Sequence, residues 1–228
     1  MHEAYRALRG TGAAAWVDRD VVGVAGPEAG AFLQGQLSQD VVALAPRSSA
    51  WSWLLQPAGK VEALVRVTRV GDQDWVLDTD GGWGEVVLER LQRFKLRTRV
   101  DLDVRGWRCL ALRGMAVDPT PQAGPAVVVD GSWPGLPGVD VLAPEPTVPP
   151  GLGLASPEEW DAARIEAGVP RMGAELTERT IPAETGLVEL TVSFTKGCYT
   201  GQELVARIDS RGSHVARHLR GLLLGGPV

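Results

Sequence analysis

A change of hydrophobic period at residue 50 is the feature that most constrains what this chain can fold into. Between residues 50 and 79, three stretches are rich in β-branched and aromatic residues: AWSWLLQ, KVEALVRVTRV and DWVLDT, separated by the turn sequences PAG and GD. In the second stretch, alternate apolar residues share one face: Val61, Ala63, Val65 and Val67. We expect three sequential strands, with Glu62 and Arg66 pointing away from the apolar face of the second.

Helical patterns flank this group of strands. In GPEAGAFLQGQLSQDV, apolar residues recur at helical spacing after Pro27, which suits a first helical position, and a second such pattern covers residues 82–95. The sequence SPEEWDAARIEAGVP carries a capping box, with Ser156 at the N-cap and Glu159 three residues later. Because strands and helices are mixed without a regular strand–helix alternation, the sequence predicts the α+β class.

A proline-rich segment interrupts the second half of the chain. Ten of the 16 prolines lie between Pro119 and Pro157. The strand-like stretches AVVVD and GVDVLA inside this segment show that it is not of low complexity. Since proline in sheets is confined to edge strands, first positions and bulges, we predict short edge strands and loops that join two subdomains.

The composition argues against several classes of protein. The 228 residues have a formal net charge of −5, whereas a nucleic-acid binder has a basic footprint, so we expect no direct nucleic-acid partner. Two cysteines and three histidines are too few for an ordinary four-ligand metal site within one chain, and no metal site is predicted. The N-terminal sequence does not resemble a secretory signal, and no apolar run reaches the roughly 18 residues of a membrane span. We therefore expect a cytoplasmic protein.

The segment SFTKGCYTGQELVARIDSRGS, residues 193–213, places Cys198 just before a predicted helix. TGQE has the form of a capping box, with Thr200 at the N-cap and Glu203 at N3. The positive end of a helix dipole favours a thiolate, and so does Lys196 if its side chain turns the same way. Simple packing of the cysteine beside a tyrosine is the alternative. Cys109, inside a strand-like run, is interpreted as a buried and inert thiol.

The octapeptide KGCYTGQE resembles the signature of the YgfZ family of folate-binding proteins, relatives of the glycine cleavage T-protein, which is an aminomethyltransferase. The motif is ungapped and comprises Lys196, Gly197, Cys198, Tyr199, Thr200, Gly201, Gln202 and Glu203. Weaker resemblances occur in the family's order in FLQGQLSQDV, LLQPAGKVEALVRV, RFKLRTRVDL and RIEAGVPRMGAELTERTIPAETGL. Together these stretches extend over nearly the whole chain.

The resemblance implies a T-protein-like α+β fold. Two mixed subdomains would surround a central channel that holds tetrahydrofolate or a derivative. Residues 1–49 plus 139–211 would form the first, discontinuous subdomain, and residues 50–138 would form the second. Residues 212–228 would be the start of a truncated C-terminal β-barrel, most of which is absent from the sequence.

The resemblance also implies site residues. In the T-protein a glutamate of an R-x-E-x-G helix binds the pterin ring; RIEAG places Glu166 there, and a carboxylate accepts two coplanar N–H donors. The stretch that corresponds to the T-protein's catalytic aspartate is AGKVEAL, which has Glu62 and Ala63 and so speaks against aminomethyl transfer. Charge and proximity suggest that Arg207, or Arg211 beside it, contacts the anionic polyglutamate tail of a folate.

Two main hypotheses of function follow from the resemblance. The first is a folate-binding protein that supports iron–sulfur cluster assembly or repair and, indirectly, tRNA modification. Its partners would be a folate and iron–sulfur proteins or their assembly machinery, and Cys198 would be its functional thiol. The alternative is an aminomethyltransferase-like enzyme that moves a one-carbon unit onto tetrahydrofolate. A third hypothesis, an RNA-contacting module, is disfavoured by the net charge.

Overall fold

The computed structural model describes residues 3–114, 122 and 124–222 of the chain. Within these residues there are seven helices and nine strands. In chain order they are α1 (Glu3–Leu8), β1 (Ala13–Val17), β2 (Arg19–Ala25), α2 (Ala29–Gln36), β3 (Ser49–Leu55), β4 (Val61–Arg69), β5 (Asp74–Asp80), α3 (Gly84–Lys95), β6 (Asp101–Arg105), β7 (Arg108–Arg113), β8 (Val127–Asp130), β9 (Gly138–Ala143), α4 (Pro157–Glu166), α5 (Pro182–Thr185), α6 (Val188–Thr191) and α7 (Gln202–Ser210). This mixture confirms the α+β class. None of the helices in the described ranges has the length and apolar character that crossing a membrane requires.

The large sheet is antiparallel, with strand order β3-β4-β5-β2-β6. Strands β3, β4 and β5 follow one another, as the change of period at residue 50 predicts. Helices α2 and α3 cover one face, and the buried side chains of the resulting core include Val22, Phe32, Leu33, Leu54, Ala63, Val65, Val67, Leu77, Val87 and Leu91. The alternating face of β4 is therefore a core face from Ala63 to Val67, whereas Val61 packs in a different cluster beyond the register irregularity at Leu54 and Leu55.

The small sheet is also antiparallel, with strand order β1-β7-β9-β8. It packs on the other face of the large sheet. Val21 and Val76 of the large sheet meet Cys109, Val127 and Leu142 of the small sheet in one buried apolar cluster. Burial raises the pKa of the Cys109 thiol well above its usual range, which agrees with its interpretation as an inert thiol.

Strand pairing crosses the predicted subdomain boundary at residue 50. β2 lies between β5 and β6 in the large sheet, and β1 pairs with β7 in the small sheet. Each sheet thus combines strands from both segments, and the division into residues 1–49 plus 139–211 and residues 50–138 remains a prediction. Residues 212–222 contain no strand, and the rest of the predicted barrel start lies outside the described residues.

The boundaries of α3 and α4 follow local sequence signals, whereas the start of α2 does not. In α4 the Glu159 N–H donates to Ser156 Oγ at 3.3 Å, and the Ser156 N–H donates to the Glu159 carboxylate at 3.0 Å, which confirms the predicted capping box. α3 occupies most of the predicted 82–95 range. α2 begins at Ala29 rather than at Pro27, because Pro27 and Glu28 form a turn before it.

A layer of charged side chains joins the two sheets. Arg66 of β4 forms a paired contact with both Asp78 oxygens, at 3.0 and 2.9 Å, and also donates to Asp140 of the small sheet at 2.7 Å. Arg113 of β7 lies 2.7 Å from the other Asp140 oxygen. Arg66 does point away from the apolar face of β4, but it is only 1% exposed because the small sheet covers it. Its sequence context gives no sign of that second layer.

Candidate functional site

The two sheets and α4 enclose a cavity with a volume of about 490 Å³. Five of the eight tryptophans of the chain line it: Trp16, Trp51, Trp83, Trp133 and Trp160. We call it the tryptophan cavity. Its other walls are the turn between β1 and β2, the end of β5, and residues 169–173 after α4.

The aromatic side chains of the tryptophan cavity are held by each other and by arginines. The Trp51 and Trp133 rings lie 5.1 Å apart between centroids, at 51° to each other. Arg19 lies 5.2 Å from the Trp51 ring centroid, and Arg113 lies 5.1 Å from that of Trp160. Such planar surfaces favour stacking with a flat aromatic ligand, and the adjacent cations add attraction for an anionic one.

Two buried carboxylates in the cavity wall differ in their electrostatics. Burial would raise the pKa of Asp140, but Arg113 and Arg66 together hold it well below its usual range. Burial raises the pKa of Asp80, and the attraction of Arg19 only partly offsets that effect. The Asp80 carboxylate accepts a hydrogen bond from the Met172 N–H at 2.9 Å and a longer one from Arg19 Nη1 at 3.3 Å. Asp80 is therefore the less fully paired of the two.

The octapeptide lies on a different part of the molecule, against the end of α2. The Lys196 ammonium donates to the carbonyl oxygens of Gln34, Leu37 and Gln39 at 2.6, 2.6 and 3.0 Å. Burial lowers the pKa of Lys196 to about 8. Its side chain therefore fastens the octapeptide to α2, whereas the sequence suggested that it supports the neighbouring thiol.

The predicted capping box at Thr200 and Glu203 is wrong. α7 begins at Gln202, its N-cap is Gly201 in the left-handed conformation at φ 84°, and no side chain caps it. The Thr200 N–H donates instead to the Gly35 carbonyl at 3.1 Å. Cys198 is exposed and lies three residues before that N-cap. The local spacing matched a capping box, but the backbone reverses at Gly201 before the helix starts.

Gly201 is required for the packing of the octapeptide. A Cβ at Gly201 would lie 2.6 Å from the Gln56 carbonyl oxygen, and one at Gly59 would lie 2.5 Å from Leu204 Cβ. The octapeptide and the PAGK turn between β3 and β4 are thus in close backbone contact. At Gly197, by contrast, an added Cβ would meet nothing within 4 Å, and the backbone φ is not positive.

One apolar cluster links the octapeptide to the tryptophan cavity. Tyr199 packs in it with Trp51, Leu64 and Met172, all three of which also line the cavity. Burial raises the pKa of Tyr199 to about 12, so the phenol stays neutral. Cys198 itself is exposed at the surface, and Phe194 nearby in the chain is half exposed.

The structure does not bring the other predicted site residues into this cavity. Glu166 accepts the Tyr5 hydroxyl and pairs with Arg9 at 2.9 Å, beside a separate cavity of about 50 Å³. Arg207 lies on the exposed side of α7. Ala63 is buried under α2 and α3, and Glu62 is not among the residues that line the tryptophan cavity.

Sequence reasoning missed the residues that do line the cavity. Its walls come from positions between Trp16 and Gly173, and only strand pairing and α4 bring them together. The available signal was composition, because eight tryptophans against three phenylalanines and two tyrosines is an unusual ratio. Charged residues at strand ends, such as Arg19 and Asp80, gave no comparable signal.

Comparison with solved structures defines the class of fold. The glycine cleavage system aminomethyltransferase T from Bartonella henselae matches 92% of this chain and 66% of its own, with a TM-score of 0.79 at 16% sequence identity. The chain thus has the T-protein fold, as the sequence predicted. No family model matches the chain.

Comparison with curated proteins gives the particular relatives. Proteins named tRNA-modifying protein YgfZ from Photorhabdus laumondii and Klebsiella pneumoniae are 29% and 28% identical over 86% and 84% of this chain. An uncharacterized protein from Haemophilus influenzae is 29% identical over 85% of it. The matches span 67%, 66% and 65% of the Haemophilus, Photorhabdus and Klebsiella proteins, so the chain covers about two thirds of these relatives. The resemblance to YgfZ proteins that the octapeptide predicts is confirmed.

Proposed function

We propose that this chain is a cytoplasmic folate-binding protein of the YgfZ type, which supports iron–sulfur cluster assembly or repair and, through cluster enzymes, tRNA modification. The observation that carries the proposal is the tryptophan cavity in a T-protein fold. The names of the relatives support the connection with tRNA modification. The ligand would be tetrahydrofolate or a derivative.

The tryptophan cavity has the chemistry that a folate requires. Its volume of about 490 Å³ lies within the range of small-molecule sites. A folate combines a flat bicyclic ring with an anionic tail, and the cavity combines tryptophan faces with the arginines Arg19, Arg113, Arg164 and Arg171. Arg171 is half exposed, so it stands where a tail would leave the cavity. The assignments of Glu166 and Arg207 to the ligand rest on the resemblance and on charge.

Calorimetric titration with tetrahydrofolate tests the ligand assignment. We expect saturable binding, and we expect Trp160→Ala to weaken it about 5- to 150-fold, since stacking of a ring on an aromatic side chain contributes about 1–3 kcal/mol. Trp107→Ala is the matched control, because Trp107 is a tryptophan outside this cavity. Failure of the wild-type protein to bind tetrahydrofolate would remove the folate from the proposal.

The role of the thiol rests on the exposure of Cys198. Its neighbours in the chain include the partly exposed apolar side chains of Leu190 and Phe194, which suits contact with a protein partner. We expect a Cys198→Ala variant to leave cluster-enzyme activity low in a strain that lacks the endogenous homologue. Gly197→Ala is the control within the octapeptide. Full restoration of activity by Cys198→Ala would contradict a functional thiol.

The fold itself favours a second candidate, one-carbon transfer of the T-protein type. Against it, Ala63 is buried in the core and Glu62 lies outside the cavity wall, so the described cavity does not contain the expected acid. A catalytic carboxylate has to reach its proton partner directly or through one water. Formation of methylene-tetrahydrofolate by the purified protein with an aminomethylated carrier would support this candidate, and no turnover would exclude it.

A further inference from the structure

The three carboxylates in the wall of the tryptophan cavity are not equally available to a ligand. Asp140 is committed to Arg66 and Arg113, each at 2.7 Å. Asp18 lies at the turn between β1 and β2 and is exposed, so water competes for its oxygens. Asp80 is both largely buried, with a side chain 14% exposed, and incompletely paired.

The two oxygens of Asp80 keep free acceptor capacity. Oδ2 accepts one backbone N–H, from Met172, and Oδ1 has one long contact to Arg19 at 3.3 Å. A carboxylate has about four lone-pair positions, so each oxygen is able to accept a further donor. Arg19 is already bound to the Asp78 carboxylate and, at 3.0 Å, to its carbonyl oxygen, which fixes the guanidinium beside Asp80.

Asp80 and Arg19 together present two acceptors followed by a donor. The 2-amino-4-oxopyrimidine edge of a pterin has the complementary order, since its amino group and ring N–H donate and its 4-oxo group accepts. Charged and coplanar pairs of this kind are stronger than neutral ones. Trp51 lines the same cavity, and although Arg19 and Arg66 lie 5.2 and 5.1 Å from its ring centroid, it supplies an aromatic wall beside such a ring.

We propose that Asp80 accepts the amino and ring N–H groups of a pterin in the tryptophan cavity, and that Arg19 donates to its 4-oxo group. This inference rests on the proposed function and assigns the ring-binding carboxylate to the end of β5. It competes with the assignment to Glu166, which lies outside the cavity wall and is already paired with Tyr5 and Arg9. The tail would then run toward Arg171.

The test uses the full chain, four variants and three ligands. The ligands are tetrahydrofolate, 2-amino-4-oxopteridine, and 4-oxopteridine, which lacks the amino donor. The variants are Asp80→Asn, Arg19→Lys, Glu166→Gln and, as the charge-matched control, Asp72→Asn at an exposed turn. Thermal unfolding and circular dichroism of each variant establish that it is folded. The side chain that Asp80→Asn introduces retains an oxygen for the Met172 N–H.

We expect Asp80→Asn to weaken the binding of 2-amino-4-oxopteridine about 10- to 100-fold, because the substitution removes hydrogen bonds to a charged group. Binding of 4-oxopteridine should fall much less, because the amino donor that Asp80 accepts is missing from it. If Asp80 had only a structural role, Asp80→Asn would instead weaken the binding of both pteridines equally. We expect Arg19→Lys to weaken the binding of both pteridines. Glu166→Gln and Asp72→Asn should leave the binding of both unchanged.

The outcomes separate the two proposals. Tetrahydrofolate binding that is unchanged in Asp80→Asn, or lost in Glu166→Gln, would overturn the Asp80 assignment and leave the folate proposal in place. Binding of 2-amino-4-oxopteridine that depends on Asp80, without binding of tetrahydrofolate, would uphold the ring site and overturn the folate proposal. No binding of any of the three ligands by the wild-type protein would overturn both.

Discussion

The tryptophan cavity and the octapeptide hold their buried charges in opposite ways. At the wall of the cavity, cations meet anions: Asp140 of the wall is paired with Arg113, which also lines the cavity, and with Arg66, which does not. In the octapeptide, the Lys196 ammonium meets neutral backbone carbonyls. Removing one partner in the cavity wall leaves an uncompensated charge, whereas removing Lys196 leaves neutral acceptors. The first region is therefore expected to be the more sensitive to substitution, and four substitutions measure this difference.

The largest effect is expected from Arg66→Ala. It leaves Asp78 and Asp140 buried with less compensation, and loss of one partner from a buried ion pair costs about 3–5 kcal/mol. Urea unfolding measures the change. The control is Arg99→Ala, which breaks a largely exposed pair with Glu28 and should cost less than about 1 kcal/mol. Equal losses of unfolding free energy in the two variants would show that the buried ion pairs contribute no more to stability than an exposed pair.

Gly201→Ala should have the next largest effect, and it acts on the backbone of the octapeptide. A left-handed residue with a Cβ costs about 1–2 kcal/mol, and forcing extra volume into a packed site costs about 1–3 kcal/mol more. The new Cβ would lie 2.6 Å from the Gln56 carbonyl oxygen. Gly197→Ala in the same motif has neither problem and should stay within about 0.5 kcal/mol of wild type in urea unfolding. A harmless Gly201→Ala would contradict the described contact.

Lys196→Met should destabilise the protein by about 1–3 kcal/mol, since it leaves buried carbonyls without their donor. The effect should also grow with pH. Burial lowers the pKa of Lys196 from 10.5 to about 8. The folded state therefore binds fewer protons than the unfolded state between these values, so the wild-type free energy of unfolding rises across that window.

Unfolding of Lys196→Met and wild type at pH 7 and at about pH 10 checks both statements. The difference between the two proteins should be larger at the higher pH, because the wild type has by then lost the penalty of burying a charge. Lys60→Met, at an exposed position in the neighbouring turn, serves as the control. A difference that shrinks with rising pH would show that the charged form of Lys196 is the one the fold prefers.

The smallest effect on stability is expected from Cys198→Ala, within about 0.5 kcal/mol, because the side chain is exposed. The substitution should nevertheless abolish the rapid reaction of the native protein with a thiol reagent. Iodoacetamide should modify one thiol rapidly in the native wild-type protein and none rapidly in Cys198→Ala, since Cys109 is 1% exposed and burial raises its pKa. Rapid labelling of two thiols would contradict the burial of Cys109.

The same two regions show what the sequence is able to predict. The strands from residue 50 onward and the capping box at Ser156 depend on neighbours in sequence, so period and spacing predicted them. The burial of Arg66 depends on a second sheet, and alternation along β4 carries no information about that sheet. The octapeptide was recognised as a motif, but its local spacing predicted a helix cap where Gly201 reverses the chain.

The lining of the tryptophan cavity was not predicted from the sequence, for a physical reason. Ligand walls are formed by residues that share no period and are far apart in sequence, such as Trp16, Asp80 and Trp160. The resemblance pointed to Glu166 through a local motif. The geometry that decides whether a carboxylate faces a cavity is tertiary, so the assignment of Glu166 stays a prediction beside the proposal of Asp80.

The anchoring of Lys196 has a consequence for how the protein is made. Its three acceptors lie 157–162 positions earlier in the chain, so they emerge from the ribosome long before the lysine that satisfies them. Contacts of such long sequence separation form slowly and late. In a growing chain, these carbonyl groups at the end of α2 therefore lack their lysine donor until the octapeptide has been synthesised and has packed against them. The position of Cys198 is accordingly set only in a chain that has completed its folding, and an unfinished chain does not yet display that thiol in its native setting.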